Sequence, residues 1–555
     1  MVITPLGDQA LLVQVASEPG ESAFARVQQA AQALRDAEIA TIRDIVPSFA
    51  SVGLMLDETA RLAAVREAVE AVLSGLPAEA PPVRGREREI PVCHDSDFAP
   101  DLPHIAEHAG MTPEAVLALL HETEFCVHAV GFAPGFPYLA GLPPELHVPR
   151  RATPRSRVPR GSVAIGGAQC GVYPLETPGG WHLLGRTPRL LFEPRAEPPA
   201  WLEPGDRVRF VPVDRKGYND HQRAAEEARR ALIQDTHPPF ETRRVIQVVR
   251  PGAFTTIQDL GRYGWQFVGV PVGGALDALS LRCANLLVGN EPGAAAIEWT
   301  MRGPVLEFAT DCCVALMGAA PADLQVGRPW IIHAGEILDL SHAQGGIRGI
   351  LAVSGGIDVP LVMGSRSTCL RAHFGGFRGR VLRSGDTLGT VKPSIQRVSS
   401  AWSIAPGMMP RSPDAEPLRV VRGPQADWFS DAAWGTLVSA QFTVTADADR
   451  MGVRLKGPQL SSAGAREMTS AAVTAGAIQV PPDGQPIILL ADRQTLGGYP
   501  QIGYVISVDV ARLAQARPGT VLSFREISLE EAEAERLDQV RSLGLLSVGL
   551  ASKRA

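Results

Sequence analysis

Three stretches of this sequence bring chemically capable side chains together beside glycine and proline. The first runs from Glu124 to Phe192. It holds Gly131-Phe-Ala-Pro-Gly-Phe-Pro-Tyr-Leu-Ala-Gly-Leu142, then Arg150, Arg155 and Arg160 in a proline-stiffened loop, then Gln169, Tyr173 and Arg186. Guanidinium groups grip carboxylates or phosphates through two parallel hydrogen bonds, so these arginines are candidates for the anionic parts of a ligand. A barrel rim held by arginine–carbonyl bonds is the competing structural reading. The second stretch, Pro251–Arg262, places Gln258, Asp259 and Arg262 beside Gly261. Here a plain salt bridge competes with a binding role. The third is Ala491-Asp-Arg-Gln-Thr-Leu-Gly-Gly-Tyr-Pro500, with Asp492, Gln494 and Tyr499. An amide ligand needs a donor and an acceptor side by side, which glutamine and aspartate supply. The catalytic candidates are therefore Asp259, Asp492, Gln494 and Tyr499. The substrate-binding candidates are Arg150, Arg155, Arg160, Gln169, Tyr173, Arg186, Gln258 and Arg262.

Other chemistries lack their motifs. There is no G-x-x-x-x-G-K-[ST] loop, no G-x-G-x-x-G between a strand and a helix, and no G-x-S-x-G elbow. No Met-Lys dipeptide occurs, so the usual biotin attachment sequence is absent. His104-Ile-Ala-Glu-His108 fits a zinc-protease pattern, but it reads as a solvated helix start and no metal is expected. The seven cysteines form no C-x-x-C pair, which points to a reducing cytoplasm. A net charge of −6 without a basic run argues against nucleic acid as a partner. No apolar run approaches the ~18–20 residues needed to span a bilayer, and no secretory signal is visible.

The elements that must position these residues are short. The chain has 55 glycines and 46 prolines spread between β-branched runs, the pattern of many strands and tight turns. At 555 residues it exceeds one core. Helical periodicity at Ala23–Ala37 and Thr59–Leu73, between strands Ala10–Val15 and Val52–Leu56, predicts a small α/β unit over residues 1–80. A β-barrel is expected over 85–213 and a linker over 214–244, with an exposed helix at His221–Ile233. Two further barrels are expected over 245–395 and 415–526, with a break at Lys392–Pro417. A helical tail follows over 527–555, amphipathic at Leu529–Leu546. Few buried groups should cross the linker, so cleavage there should leave two folded fragments.

Internal repeats support duplicated barrels. Leu202–Phe210, Ile332–Leu340, Leu382–Gly389 and Ala516–Phe524 each read as a glycine turn entering a strand. A longer echo joins the halves. Thr177-Pro-Gly-Gly-Trp-His-Leu-Leu-Gly185 matches Thr495-Leu-Gly-Gly-Tyr-Pro-Gln-Ile-Gly503, following strands that open Gly161-Ser-Val163 and Gly476-Ala-Ile478. Each Thr-x-Gly-Gly-aromatic loop, carrying Trp181 or Tyr499, should border a pocket, one per half.

At these residues the chain resembles a known family. Residues 1–213 are similar to the first subunit of allophanate hydrolase, the carboxyltransferase C/D type, in G-F-x-P-G-F-x-Y-L-x-G-L, V-P-x-G-S-V-A-I-G-G-x-Q and T-P-G-G-W-x-L-L-G-R-T-P. Residues 245–524 resemble its second subunit, the A/B type, in T-T-I-Q-D-L-G-R, A-N-x-L-V-G-N, D-R-M-G-x-R-L-x-G, G-A-I-Q-V-P and D-R-Q-T-x-G-G-Y-P. The order is that of the B and C subunits of 5-oxoprolinase joined end to end. It is the reverse of the order in urea carboxylase. The resemblance implies an α+β, mostly β protein with a ferredoxin-like N-terminal domain and cyclophilin-like β-barrels. It implies ATP-dependent opening of 5-oxo-L-proline to L-glutamate together with a separate A subunit, using ATP and Mg2+ in the assembled enzyme and no covalent biotin here. Two alternatives stand beside it. One is a carboxyltransferase component of a biotin-dependent urea or amide carboxylase, and the other a regulatory kinase-binding module. No membrane partner is expected, and a homo-oligomer is open. Two departures stand out: Ala471 where the family often carries a glutamate, and Leu496 where a threonine is usual.

Overall fold

The computed structural model describes residues 1–235, 244–391, 403–409, 411–461 and 468–554. The chain opens with strands Val2–Pro5 and Ala10–Gln14, helix Glu21–Asp36, strands Ile42–Pro47 and Ser51–Leu56, and helix Leu62–Ser74. The strands make one antiparallel sheet in the order Val2–Pro5, Ala10–Gln14, Ser51–Leu56, Ile42–Pro47. A βαββαβ ferredoxin-like chain ends on a strand after its second helix. Here the edge strand is the first one of the chain.

Side-chain alternation along these strands decides what covers each face. Leu11, Val13, Val52 and Leu54 share a core with Val27, Ala31, Leu34, Val65 and Val69 of the helices. Ala10, Leu12 and Met55 face the other way. They join a core with Phe136, Tyr138 and Trp181 from the middle of the chain and Ala472, Leu496 and Tyr504 from its far end. The sheet is thus buried on both faces.

A seven-stranded sheet follows in the order His182–Arg186, Ser162–Gly166, Gln169–Val172, Pro137–Ala140, Phe125–Val130, Arg207–Pro212, Glu87–Val92. A bridge between Cys93 and Arg186 joins its two edges and closes it into a barrel. The helix Arg215–Asp235 leads out of this barrel and is longer than the helix expected at His221–Ile233. The next unit packs two five-stranded sheets around Val248, Ile257, Trp299, Phe308 and Leu351, flanked by helix Ala278–Leu287. Residues 392–402 and 410 of the break expected at Lys392–Pro417 lie outside the described residues. An eight-stranded sheet then spans residues 418–526, and its two edge strands, Val521–Leu522 and Phe524–Glu526, are consecutive in sequence, so it too curls closed.

The first and last barrels are wound alike. Arg207–Pro212 lies antiparallel to Phe125–Val130 and parallel to Glu87–Val92. In the later barrel Val521–Leu522 lies antiparallel to Phe442–Val444, and Phe524–Glu526 parallel to Leu418–Arg422. The glycines that open the echoed strands match as well. Gly161 (φ 83°) accepts a bond from Thr187 N at 2.8 Å, and Gly476 (φ 86°) accepts one from Val505 N at 2.8 Å. A Cβ would lie 2.2 Å from Thr187 O at the first and 2.3 Å from Val505 O at the second. Both positions therefore need glycine for conformation and for space.

The halves are locked together, contrary to the expectation that few buried groups cross between them. The Asp44 carboxylate accepts from Gly264 N at 2.8 Å, Gln266 N at 3.2 Å and Gln266 Nε2 at 3.1 Å. Asp8 accepts from Ser507 N at 2.9 Å. The tail helix Leu529–Arg554 returns to the N-terminal unit, where Arg536 donates to Ala60 O at 2.6 Å and Glu533 accepts from Leu62 N at 2.8 Å. The physical reason is the two-faced N-terminal sheet, whose second apolar face has to be covered by another part of the chain. No helix among the described residues is long and apolar enough to cross a membrane.

Candidate functional site

The two Thr-x-Gly-Gly-aromatic loops both approach the seam between the halves. In the first half, Phe136 sits at the centre of an aromatic group, 5.0 Å from Tyr138, 5.2 Å from Tyr173 and 5.7 Å from Trp181. Burial pushes the Tyr173 phenol up to about 12. Ser470, from the far half, is hydrogen-bonded to Tyr138. A Cβ on Gly498 would lie 3.2 Å from Ser470 Oγ, so the second loop stands just behind it. The strand Ala471–Ala472 pairs with Leu496–Gly497 and carries the two departures from the family pattern. Leu496 is buried, and a Cβ on Gly131 would come within 2.4 Å of its Cδ1, so it fills the seam against the first half's glycine loop. Ala471 is buried in the same core.

The arginine loop divides. Arg155 donates to Asp101 Oδ1 at 2.8 Å and Arg151 to the same atom at 3.2 Å, while Asp101 Oδ2 accepts from Leu183 N at 2.7 Å. Burial pushes the Asp101 carboxyl up, but Arg155, the Leu183 amide and Arg151 outweigh it and hold the group below the usual range. Arg155 is thus committed to a structural partner. Arg150 is exposed, with its guanidinium 5.9 Å from the Trp181 ring centre. Arg160 and Gln169 are half-buried, and Arg186, in the bridge that closes the barrel, lies 4.2 Å from the Phe98 ring centre. His104, from the zinc-like pattern, stacks on His182, and among the described residues no three His, Cys, Asp or Glu side chains group as a metal site.

The loop after Phe254–Gln258 is built around Asp259. Its carboxylate accepts from Gly261 N at 2.8 Å, Ser365 Oγ at 2.7 Å and Arg366 N at 2.6 Å, and Ser367 Oγ adds another bond. Asp259 is therefore a latch between two loops. Gln258 is fully buried, donating to Thr256 Oγ1 at 3.0 Å, with no partner for its Oε1 among the described residues. Arg262 is 1% exposed. It donates to Ser367 O at 2.7 Å and Val362 O at 3.3 Å, stands 4.7 Å from the Phe374 ring centre, and leaves Nη1 without a partner. Burial pulls its guanidinium below the usual range.

A crevice opens at the seam. Phe132 and Thr177 line it from the first half, and Cys369, Arg371, Asp492 and Arg493 from the second. Asp492 is held by Arg450, with Nε to Oδ2 at 2.9 Å and Nη2 to Oδ1 at 3.2 Å. Arg450 also pairs with Glu298, a buried carboxylate on the neighbouring unit. Burial works against the Arg450 charge, but Asp492 and Glu298 outweigh it and hold the guanidinium above its usual range. Arg493 donates to Val473 O at 3.2 Å and to Gln266 Oε1 at 3.3 Å, which ties it to the Asp44 latch. Burial lowers its guanidinium to about 10. Gln494 donates to Gln479 Oε1 at 3.3 Å, and Tyr499 is exposed beyond it. Asp492, Gln494 and Tyr499 thus lie along one loop beside the crevice, whereas Asp259 and Arg155 are consumed elsewhere.

Sequence reasoning missed Asp101, Glu298, Cys369, Arg371 and Arg450. Arg450 stands in the D-R-M-G motif, which signalled its neighbourhood. Arg371 stands close before the paired glycines Gly375 and Gly376, the same context that marks the Thr-x-Gly-Gly-aromatic loops.

Comparison with known proteins agrees with this division. The carboxyltransferase domain, subdomain C and D, matches residues 1–202, and the carboxyltransferase domain, subdomain A and B, matches residues 268–526. The C subunit of 5-oxoprolinase from Escherichia coli K12 is 39% identical over 305 residues, covering 54% of this chain and 96% of the relative. The B subunit of 5-oxoprolinase from Bacillus subtilis is 36% identical over 231 residues, covering 40% of this chain and 96% of the relative. The crystal structure of TTHA0988 superposes with a TM-score of 0.79 at 36% identity, over 93% of this chain and 99% of that one. The chain belongs to the carboxyltransferase-domain family of the 5-oxoprolinase B and C subunits, with a B-like half followed by a C-like half in one polypeptide.

Proposed function

We propose that this chain is the B–C component of an ATP-dependent 5-oxoprolinase, hydrolysing 5-oxo-L-proline to L-glutamate together with a separate A subunit. The observation that carries the reading is the seam itself. Halves similar to nearly the whole of the B and C subunits enclose one crevice, whose walls come from both. The lactam is a resonance-stabilised amide, and phosphorylation of its oxygen by ATP makes its carbon a better electrophile. What remains for the protein is to hold the lactam edge and to place opposite charge where negative charge develops. Asp492 offers an acceptor and Gln494 a donor and an acceptor to the ring amide, with Tyr499 closing the loop. Arg150 and Arg160, at the outer rim, remain candidates for anionic groups arriving from solvent or from the A subunit. ATP with Mg2+ is assigned to the assembled enzyme, since this chain carries no Walker loop. The N-terminal unit fits a ferredoxin-like variant with its edge strand moved to the front, and the flanking barrels fit a cyclophilin-like description. A cytoplasmic setting goes with free, mostly buried cysteines.

The test is reconstitution. The purified chain alone should not release glutamate from 5-oxo-L-proline, and adding a cognate A subunit should give ATP-dependent release. Gln494→Ala and Tyr499→Phe should cut turnover of the assembled enzyme and leave the unfolding midpoint unchanged. Activity of this chain alone, or a requirement for biotin, would overturn the reading.

A further inference from the structure

The hydrogen bonds around the crevice leave arginine donors unused among the described residues. Asp492 is its one lining carboxylate, and each of its oxygens accepts one bond from Arg450 and keeps a further lone pair. Neither lining arginine makes a direct ion pair among the described residues, although Asp449 and Asp492 act on Arg371 and Asp44 and Asp492 on Arg493 at longer range. Arg493 donates to carbonyl and amide oxygens only. Arg371 makes one hydrogen bond, from Nη1 to Met451 Sδ at 3.1 Å, and a thioether is a weak acceptor. No carboxylate lies within ion-pair distance of Arg371 among the described residues. A third guanidinium stands behind the wall. Arg262 is 1% exposed with Nη1 unpartnered. The point that a Cβ on Gly273 would occupy is 3.9 Å from that Nη1 and 3.6 Å from Asp492 Oδ1, so the free nitrogen and the Asp492 carboxylate both border the space beside Gly273.

A buried donor without a partner is costly, and a half-buried guanidinium whose one hydrogen bond goes to a thioether is poorly satisfied. Such a group is retained at a site where a ligand completes it. The guanidinium fork of Arg371 still has its Nη2 and Nε free to meet a planar oxyanion. We infer that the seam crevice is an oxyanion subsite, in which Arg371 receives a carboxylate or phosphoryl group of the substrate and Arg262 adds positive charge from behind the wall. The anionic end of the ligand then sits between the halves, and not at the Arg150–Arg160 loop, where Arg155 is already spent on Asp101. In the proposed activity, on which the choice of ligand rests, the substrate's own carboxylate takes this place while its ring amide meets Asp492 and Gln494.

Calorimetric titration of the full chain with 5-oxo-L-proline, its neutral analogue 2-pyrrolidinone and inorganic phosphate tests the inference. At least one of the two anions should bind the unaltered chain. Arg371→Met should weaken that anion by about tenfold or more, Arg371→Lys by less, and neither should change 2-pyrrolidinone. Binding of 5-oxo-L-proline alone identifies a carboxylate site, and binding of phosphate identifies a phosphoryl site. A second measurement needs no variant. Phenylglyoxal labelling of Arg371, read by peptide mass spectrometry, should be slowed by the binding anion. No binding of either anion, equal binding by Arg371→Met, or unprotected labelling would overturn the subsite. Reconstituted glutamate release that is indifferent to Arg371→Met sinks the subsite alone. Arg371-dependent anion binding without any glutamate release sinks the proposed activity alone.

Discussion

Replacing Arg450 by methionine tests whether the crevice wall is held by a buried charge triad. Arg450 is 7% exposed and lies between Glu298, at 2%, and Asp492. Without the cation, Glu298 keeps one described bond, from Leu276 N at 2.8 Å. Truncating one member of a buried ion pair costs about 3–5 kcal/mol, most of it the penalty of the charge left behind. Asp492 borders the open crevice and can be rehydrated, so it adds little to this loss. The expected cost at pH 7 is therefore about 3–5 kcal/mol. Adding Glu298→Gln should return at least half of it, because the amide oxygen still accepts from Leu276 N and needs no counter-charge. Urea unfolding followed by tryptophan fluorescence reads the effect, since Trp299 is adjacent and fully buried. A single-variant cost below about 1 kcal/mol, or a double variant no more stable than the single, would refute the coupling.

Cleavage between residues 214 and 244 should leave the halves bound to each other. Gly53→Leu should let them separate on a sizing column, because even its Cβ would lie 2.2 Å from Ala472 Cβ across the seam. Halves that part without any substitution would contradict the shared core. Burial raises the phenols of Tyr138, Tyr173 and Tyr504, Tyr173 to about 12, so these should stay protonated in the folded chain at about pH 11. Their contribution to stability is present below the ordinary tyrosine value of about 10 and is lost as pH rises through the folded values. Ultraviolet absorbance at about pH 11 equal to that of the unfolded chain would show the aromatic core open to solvent.

Much of this protein is written locally. The turns entering strands at Gly205, Gly335, Gly385 and Gly519 all have φ between 85° and 97°, as glycine before an alternating apolar run requires. The echo of Gly161 in Gly476 encodes two barrels wound alike, because the same short-range constraints shape both. The loops bearing Asp492, Gln494 and Phe132 were legible too, since paired glycines and rigid aromatics act over a few residues. Pairing of charges was not. Arg155 and Asp101 are 54 residues apart, Asp259 and Ser367 108, and Arg450 and Glu298 152. Which acid an arginine meets depends on which element faces it after folding, and no local period records that. The helices Glu21–Asp36 and Leu62–Ser74 could be read from periodicity, but not the cover on the far face of their sheet. Tertiary packing supplied that cover from the distant strand Ala471–Ala472 and from Tyr504, and so placed a crevice at the seam. Sequence determines elements through interactions a few residues long. The site lies where their buried faces meet, and that meeting is settled by burying apolar area across the whole chain.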